Sequence, residues 1–278
     1  MFPPLVLVGY ALVTNVCAPN AILGWEHWMI SVKEVLVSPS LGLAHPVWIE
    51  RLPWLCQGCT IQGTDADLYD FGFFSGGSSL ESVQDNWSTL MGATGATGVV
   101  HGRQVHGTVI RTHETASAGL HMFPDCDGHV TASVGVLLAV TTADCVPIFL
   151  VDADRRAIAV LHAGWRGAAA GILEHGLLAL REQSDSFPAD LLMHLGPAIC
   201  GDCYEVGVEV FKALALPIPL RPRPINLREI LTEQAVRAGI PFANITVSEH
   251  CTRCTESDLF SHRSGDRGRQ VSYIGLRP

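Results

Sequence analysis

Two apolar runs, Val146–Val151 and Ala157–His162, flank a short polar turn at Asp152–Arg156. Runs of about six aliphatic and β-branched residues around a five-residue loop predict an antiparallel hairpin. In that hairpin Val151 lies near Ala157, which sets Cys145 opposite His162 or Ala163. Directly opposed residues share a face, with Cβ atoms roughly 4.5–5.5 Å apart. A thiolate and an imidazole so spaced both reach one metal ion, since Zn–S is about 2.3 Å and Zn–N about 2.0–2.1 Å. The pattern therefore places a candidate active site at the mouth of a sheet.

The rest of the chain alternates strands with three or four helices. Residues 1–46 carry few charges and no sustained period, and read as an N-terminal extension of unassigned role. From Val47 the pattern changes to an opening strand and turn, followed by a helix over Ser79–Met91 with acids early and apolar residues near helical spacing. Val99–His113 alternates around glycines and reads as a bent strand pair holding His106. Asp125–Thr131 reads as a turn and Val134–Val140 as a fully apolar strand. After His162 a glycine-bracketed turn, Gly164-Trp165-Arg166-Gly167, runs into a helix of about four turns; free backbone N–H groups and Arg166 make that turn a candidate anion site. The same glycines also serve a plain tight strand-to-helix turn. Leu191–Ile199 is a further strand, with a helix through Leu214 beyond it, and Pro217–Pro224 is a linker. Asn226 caps a helix with Glu229 at the capping-box position and Gly239 as its stop. Ile245–His250 and Val271–Arg277 complete the strands. The order favours a single α+β (mixed α/β) domain over residues 47–278.

Composition narrows the function classes. At 278 residues and a formal net charge of −9, the chain has a full core and lacks the basic stripe of a nucleic-acid surface. Lys33 and Lys212 are its only lysines, so arginine carries the positive charge and suits planar recognition of phosphate or carboxylate. No stretch reaches the ~18–20 unbroken apolar residues of a membrane span. Nine cysteines, an odd number that includes the Cys-x-x-Cys pairs Cys56/Cys59, Cys200/Cys203 and Cys251/Cys254, fit metal-binding or free thiols in a reducing cytoplasm better than a secreted disulfide framework. The apolar N-terminus lacks the basic region and cleavage site of a signal peptide.

Several blocks now recur together: Arg103-Gln-Val-His-Gly107, Asp127-Gly-His-Val-Thr131, Thr142-Ala-Asp-Cys-Val-Pro147, His162-Ala-Gly-Trp-Arg-Gly167, Gly196-Pro-Ala-Ile199, Tyr204-Glu-Val206, Cys251-Thr252, Phe260-Ser-His-Arg263 and Gly268-Arg-Gln270. From about Val47 to the C-terminus the chain resembles the YfiH-like family, bacterial proteins long labelled polyphenol oxidase or laccase-domain proteins. The resemblance implies a layered sandwich of mixed β-sheets flanked by helices. It also implies a metal held by His106, Cys145 and His162, which turns His106 from a structural histidine into a ligand. Three protein ligands with an open fourth position is the catalytic zinc pattern. Zn²⁺ is the expected cofactor, with Cu²⁺ the alternative occupant.

The activities implied are phosphorolysis of adenosine, inosine, guanosine or methylthioadenosine and deamination of adenosine, alongside copper-dependent phenol oxidation. None of the twelve histidines forms a His-x-His pair of the kind that builds a trinuclear copper cluster. Deamination needs a metal-activated water at C6 of adenine and a nearby carboxylate, for which Asp144 and Glu205 are candidates; Asp144 is equally suited to capping a turn. Phosphorolysis needs an anion pocket, which Arg166 with Arg103 or Arg263 supplies, and His262 to protonate the leaving purine. Arg103, Arg166, Glu205 and Arg263 are thus the expected substrate contacts, and purine nucleosides and phosphate the expected partners, with monomer and dimer both open. Family features are missing in places: no SLN segment is recognisable in residues 70–79, Asn86 is followed by Trp87, and Arg263 by Ser264. Cys200/Cys203 and Cys251/Cys254, each after a predicted strand, have the spacing of a Cys₄ zinc site or are independent thiols. Two other readings stand beside these: a cysteine hydrolase in which His162 activates Cys145 against amide bonds of cell-wall precursors, and a binding module without turnover.

Overall fold

The computed structural model describes residues 29–64, 67–115, 117–255 and 258–277. Two seven-stranded mixed sheets form its centre. The first runs Ile30–Val32, Ile245–Ser248, Leu191–Leu195, Val146–Asp152, Ala157–Ala163, Gly128–Thr131, Ile110–His113, and the second Val35–Ser38, Gly42–Ala44, Leu55–Cys59, Gln270–Leu276, Val136–Thr142, Gly98–Gly102, Gly119–Phe123.

Side-chain alternation shows how the layers stack. Phe149, Val151, Ile158 and Val160 of the first sheet pack on Val100, Leu138, Val140 and Ile274 of the second. Their neighbours Ile148, Leu150, Ala159 and Leu161 face outward onto Ile172, Leu173, Leu177, Leu231 and Ala235, from the helices Ile172–Ser184 and Leu227–Arg237. On the far side Leu137, Ala139, Val271 and Tyr273 meet Val83, Trp87 and Leu90 of the helix Leu80–Thr94. Helix, sheet, sheet and helix thus form four layers. Strands buried on both faces read as continuous apolar runs, which is why the central hairpin was so plain in the sequence. Ser79 caps Leu80–Thr94, and Asn226 caps Leu227–Arg237 while also donating to Glu229 at 2.8 Å. Among the described residues no helix is long and apolar enough to cross a membrane.

Several local expectations are corrected. Ile30–Val32, Val35–Ser38 and Gly42–Ala44, within the stretch read as an extension, pair into both large sheets. Three- and four-residue strands leave too short a record for a period. Between them Glu34, 4% exposed, accepts from the His194 ring at 3.0 Å and from Ser248 Oγ at 2.9 Å, tying this stretch into the interior. Pro46–Arg51 is a helix, with His45 Nδ1 accepting from the Trp48 amide, and the strand follows it. Gly98–Gly102 and Ile110–His113 are not partners: they lie in different sheets, and His106 is in the loop that crosses between them. Gly128–Thr131, read as part of a turn, is an inner strand of the first sheet. The long helix after Gly167 is two, Trp165–Ala169 and Ile172–Ser184, because Gly171 adopts a left-handed conformation at φ 83°.

Buried histidines make the fold acid-sensitive. Burial holds His101 and His113 down to about 4, and burial with the His194 charge takes His45 lower still. An unfolded histidine titrates near 6.5, so between about pH 6.5 and 4 the unfolded chain binds more protons and stability falls as pH falls. Each such group removes ~1.4 kcal/mol of stability per pH unit in that window. Thermal unfolding should therefore show Tm dropping steeply between pH 6.5 and 4.5; a flat profile would refute the buried neutral state of these rings.

Candidate metal centre

The central hairpin pairs Asp152 with Ala157, Pro147 with His162 and Val146 with Ala163. The turn is one residue shorter than the sequence suggested. Asp152 stays in the strand, its buried carboxylate accepting from the amides of Asp154 and Arg155. Continuing the register sets Cys145 opposite Gly164, so His162 is its diagonal neighbour on the same face rather than its direct partner. Gly164 is required there. A Cβ on it would fall 2.6 Å from His106 Cδ2 and 3.2 Å from Cys145 Sγ. Gly164→Ala should keep the fold while lowering metal affinity by ~10-fold or more, the scale of losing an orienting partner; equilibrium dialysis checks this, and unaltered binding would contradict it.

His106 comes from the crossing loop. Its backbone is left-handed at φ 60°, and the Cys145 Sγ lies 3.8 Å from its Nε2. One ligand atom each from His106, Cys145 and His162 lies within 4.8 Å of the others. Among the described residues no fourth His, Cys, Asp or Glu joins this group. His162 is buried and His106 exposed, so the set opens to solvent on one side.

What holds it together is Asp127, fully buried at the start of the Gly128–Thr131 strand. Its Oδ1 accepts from the His106 amide and from His162 Nδ1, both at 2.9 Å; its Oδ2 accepts from the amides of Val105 at 3.2 Å and Gly107 at 2.8 Å. One carboxylate thus shapes the His106 loop, fixes the His162 tautomer and directs Nε2 to the centre, the arrangement that supports metal-ligating histidines. Burial raises the Asp127 carboxyl, but the hydrogen bond and charge of His162 and the Gly107 and Val105 amides outweigh it and hold it low. Burial would also raise the Cys145 thiol; the His162 charge and hydrogen bonds from His106 and His162 bring it down to about 6 instead. His162 moves the other way, to about 9, because the Cys145 charge and the Asp127 bond overcome its burial. The thiolate is the form that binds metal.

The other sequence candidates are distributed around this centre. Asp144, left-handed at φ 88°, accepts from Thr252 Oγ1 at 2.6 Å and from the Arg263 amide at 2.7 Å. The Arg263 guanidinium donates to the Glu205 carbonyl at 2.8 Å and lies over the Tyr204 ring at 5.4 Å. Arg166 lies over Trp165 at 4.2 Å. Burial pushes the Tyr204 hydroxyl up to about 12; Cys145 and Asp144 add to this while Arg263 and Arg166 oppose it, so all four act electrostatically on one ring. His262 is exposed at the start of the turn His262–Ser264. Arg103 instead forms an exposed ion pair with Asp125, Nε to Oδ1 at 2.8 Å. Asp127 and Tyr204 had no role in the sequence reading although each lies in a recognised block, and Gly164 was read only as part of a turn. An acid before a glycine looks like a turn former, and nothing in the sequence shows that its carboxylate points back into the chain.

The donor set, two imidazoles and one thiolate with an orienting carboxylate, fits Zn²⁺ or Cu²⁺. Residues 65–277 match the family described as multi-copper polyphenol oxidoreductase laccase. The purine nucleoside phosphorylase YlmD of Geobacillus stearothermophilus is 37% identical over 193 residues, 63% of this chain and 70% of that protein. Adenosine deaminase RL5, from an unknown prokaryotic organism, is 38% identical over 148 residues, 49% of this chain and 56% of that one. The crystal structure of Bacillus licheniformis YfiH superposes with a TM-score of 0.78 at 27% identity, covering 88% of this chain and 99% of the other. With the match spanning most of its length and both sheets, the chain belongs to the YfiH-like laccase-domain family.

Proposed function

We propose that this chain is a zinc-dependent purine nucleoside enzyme that phosphorolyses adenosine and related nucleosides and deaminates adenosine. The observation that carries this reading is the convergence of His106, Cys145 and His162 on the solvent-facing end of the central hairpin, with Asp127 orienting one ligand. The names of the relatives, purine nucleoside phosphorylase and adenosine deaminase, support the substrate class. When bound, a zinc ion would supply Lewis acidity and draw a nucleophile from water near neutral pH.

The protein's own residues divide the remaining work. Arg166 and Arg263, which act on the same Tyr204 ring, are assigned the phosphate, with Arg103 reached by release from Asp125. His262, exposed beside Arg263, protonates the departing purine in phosphorolysis. Glu205, with its exposed side chain, contacts substrate and moves the proton in deamination. Asp144, next to Cys145 in the chain, is assigned the same shuttle, and through Thr252 and Arg263 it holds the loop in place. Arg166→Ala should raise the phosphate concentration needed for half-maximal rate by ~10–100-fold, the loss expected for one charge-assisted bond; an unchanged phosphate dependence would remove Arg166 from the mechanism.

The test incubates purified protein with adenosine, with and without phosphate, and assays adenine, inosine and hypoxanthine. Adenine that appears only with phosphate, and inosine without it, are the expected products. No turnover of any nucleoside would overturn the reading. One observation favours a second: Cys145, lowered to about 6 beside two histidines of which Asp127 orients one, is also an activated nucleophile. Chelation separates the two, abolishing a metal-dependent reaction and sparing or enhancing a thiolate hydrolase. A multi-copper oxidase finds less support, since among the described residues the two groups able to hold a metal include none with three histidines.

A further inference from the structure

Cys200 and Cys203 bracket the turn that follows the strand Leu191–Leu195, and Cys251 and Cys254 lie on the turn that follows Ile245–Ser248. These strands are parallel neighbours, Met193 beside Ile245 and Leu195 beside Val247, so both turns leave the same end of the sheet side by side. A bridge between Ala198 and Cys251 continues the pairing into the turns, with the Thr252 amide donating to the Ala198 carbonyl at 3.2 Å. The fold thereby brings together two cysteine pairs that lie about fifty residues apart in the chain, and all four sulfurs lie within 4.8 Å of one another.

The geometry is that of ligands rather than of bonded sulfurs. Four sulfurs at about 2.3 Å from one tetrahedral ion stand about 3.8 Å apart, and Cys200 Sγ and Cys254 Sγ are separated by 3.7 Å. A disulfide would bring two of them to about 2.05 Å. The surroundings are set for negative charge. Cys251 Sγ accepts from the Cys200 amide at 3.3 Å and from the Arg253 amide at 3.4 Å. Arg228, 6% exposed, donates to the carbonyls of Ser248 at 2.6 Å and His250 at 3.3 Å, immediately before Cys251, and its Nε has no hydrogen-bond partner among the described residues. Cys251, Cys200 and Cys254 all act on that guanidinium electrostatically. A buried cation with a donor unmatched is costly on its own and is balanced by an anionic neighbour. A tetrathiolate zinc site, with a net charge of −2, is such a neighbour.

We propose that Cys200, Cys203, Cys251 and Cys254 hold a second, structural zinc ion that clamps these two turns. The clamp sits beside the candidate metal centre. Ile199 donates its amide to the Asp144 carbonyl at 3.1 Å and Thr252 its hydroxyl to the Asp144 carboxylate, so a residue next to each cysteine pair grips the position preceding Cys145. The closed four-thiolate sphere gives the ion a stabilising role and no open position for substrate. This inference is independent of the nucleoside reading.

The test is metal content of full-length protein purified anaerobically without chelator. Cys145→Ser, which dismantles the other site, should retain about one zinc per chain, and Cys145→Ser with Cys200→Ser and Cys254→Ser should retain none. So that the test does not depend on the triple variant folding, the Cys145→Ser protein is also exchanged with Co²⁺, where intense sulfur-to-metal charge-transfer bands and tetrahedral d–d bands are expected. Zinc-free Cys145→Ser protein, cobalt spectra without thiolate bands, or cysteine pairs recovered as disulfides after anaerobic purification would each overturn the proposal.

Discussion

Cys145→Ser should empty the candidate metal centre and lower the proposed nucleoside turnover by more than ~100-fold, beyond what loss of an orienting partner produces. The thiol is brought down to about 6, so near neutral pH the position offers a thiolate, whereas a serine hydroxyl stays protonated and is a poor ligand. The two remaining imidazoles leave the ion with half its protein-and-solvent sphere to refill. The fold should survive, because Cys145 lies past the end of its strand and is not part of the packed layers. Circular dichroism and metal analysis on the same sample check both halves of this expectation. A variant that binds the ion as tightly as the parent would show that the sulfur is not a ligand, and a variant that keeps turnover while lacking the ion would remove the metal from the reaction.

The second large effect is expected at a residue that touches no metal. Asp127→Asn preserves shape but replaces one acceptor oxygen with a donor NH₂ group. Whichever way the amide turns, two donors lose their acceptor: the Val105 and Gly107 amides, or the His106 amide and His162 Nδ1. Metal affinity should fall by ~10–100-fold, as for other partners that orient a metal-binding histidine. Stability should fall as well, since each donor left buried and unsatisfied costs ~1–3 kcal/mol. Competition with a chromophoric chelator and thermal unfolding measure the two effects. Equal metal affinity in the variant would mean that His162 is positioned by strand geometry alone.

Both results turn on features that were unequally visible in the chain. The Val146–Asp152 and Ala157–Ala163 strands were legible because each is buried on both faces, so the apolar run has no gaps. That same continuity hid the register: with no polar positions to mark a face, only the Asp152 side chain closing the turn decided that Cys145 sits opposite Gly164. His106 was a strand histidine by local pattern and a ligand only by resemblance, because its place depends on a loop crossing between sheets. That crossing depends in turn on Asp127, whose acceptor role is long-range and leaves no periodic trace. The strands between Ile30 and Ala44 escaped for a different reason, being too short for an alternation to register and joined by a glutamate that is charged in composition yet buried in fact. The cysteine pairs were visible as spacing, but their meeting follows from the parallel pairing of Leu191–Leu195 with Ile245–Ser248, which spacing does not encode.

The convergence of a sulfur and two imidazoles on one ion with a free coordination position is tested most directly by diffraction from zinc-loaded crystals on either side of the zinc absorption edge. The expected result is an anomalous peak bonded to Cys145 Sγ and to one ring nitrogen each of His106 and His162, with solvent or nucleoside completing the sphere. A peak closed by a fourth side chain, or no peak at that position in protein that still turns over adenosine, would contradict it.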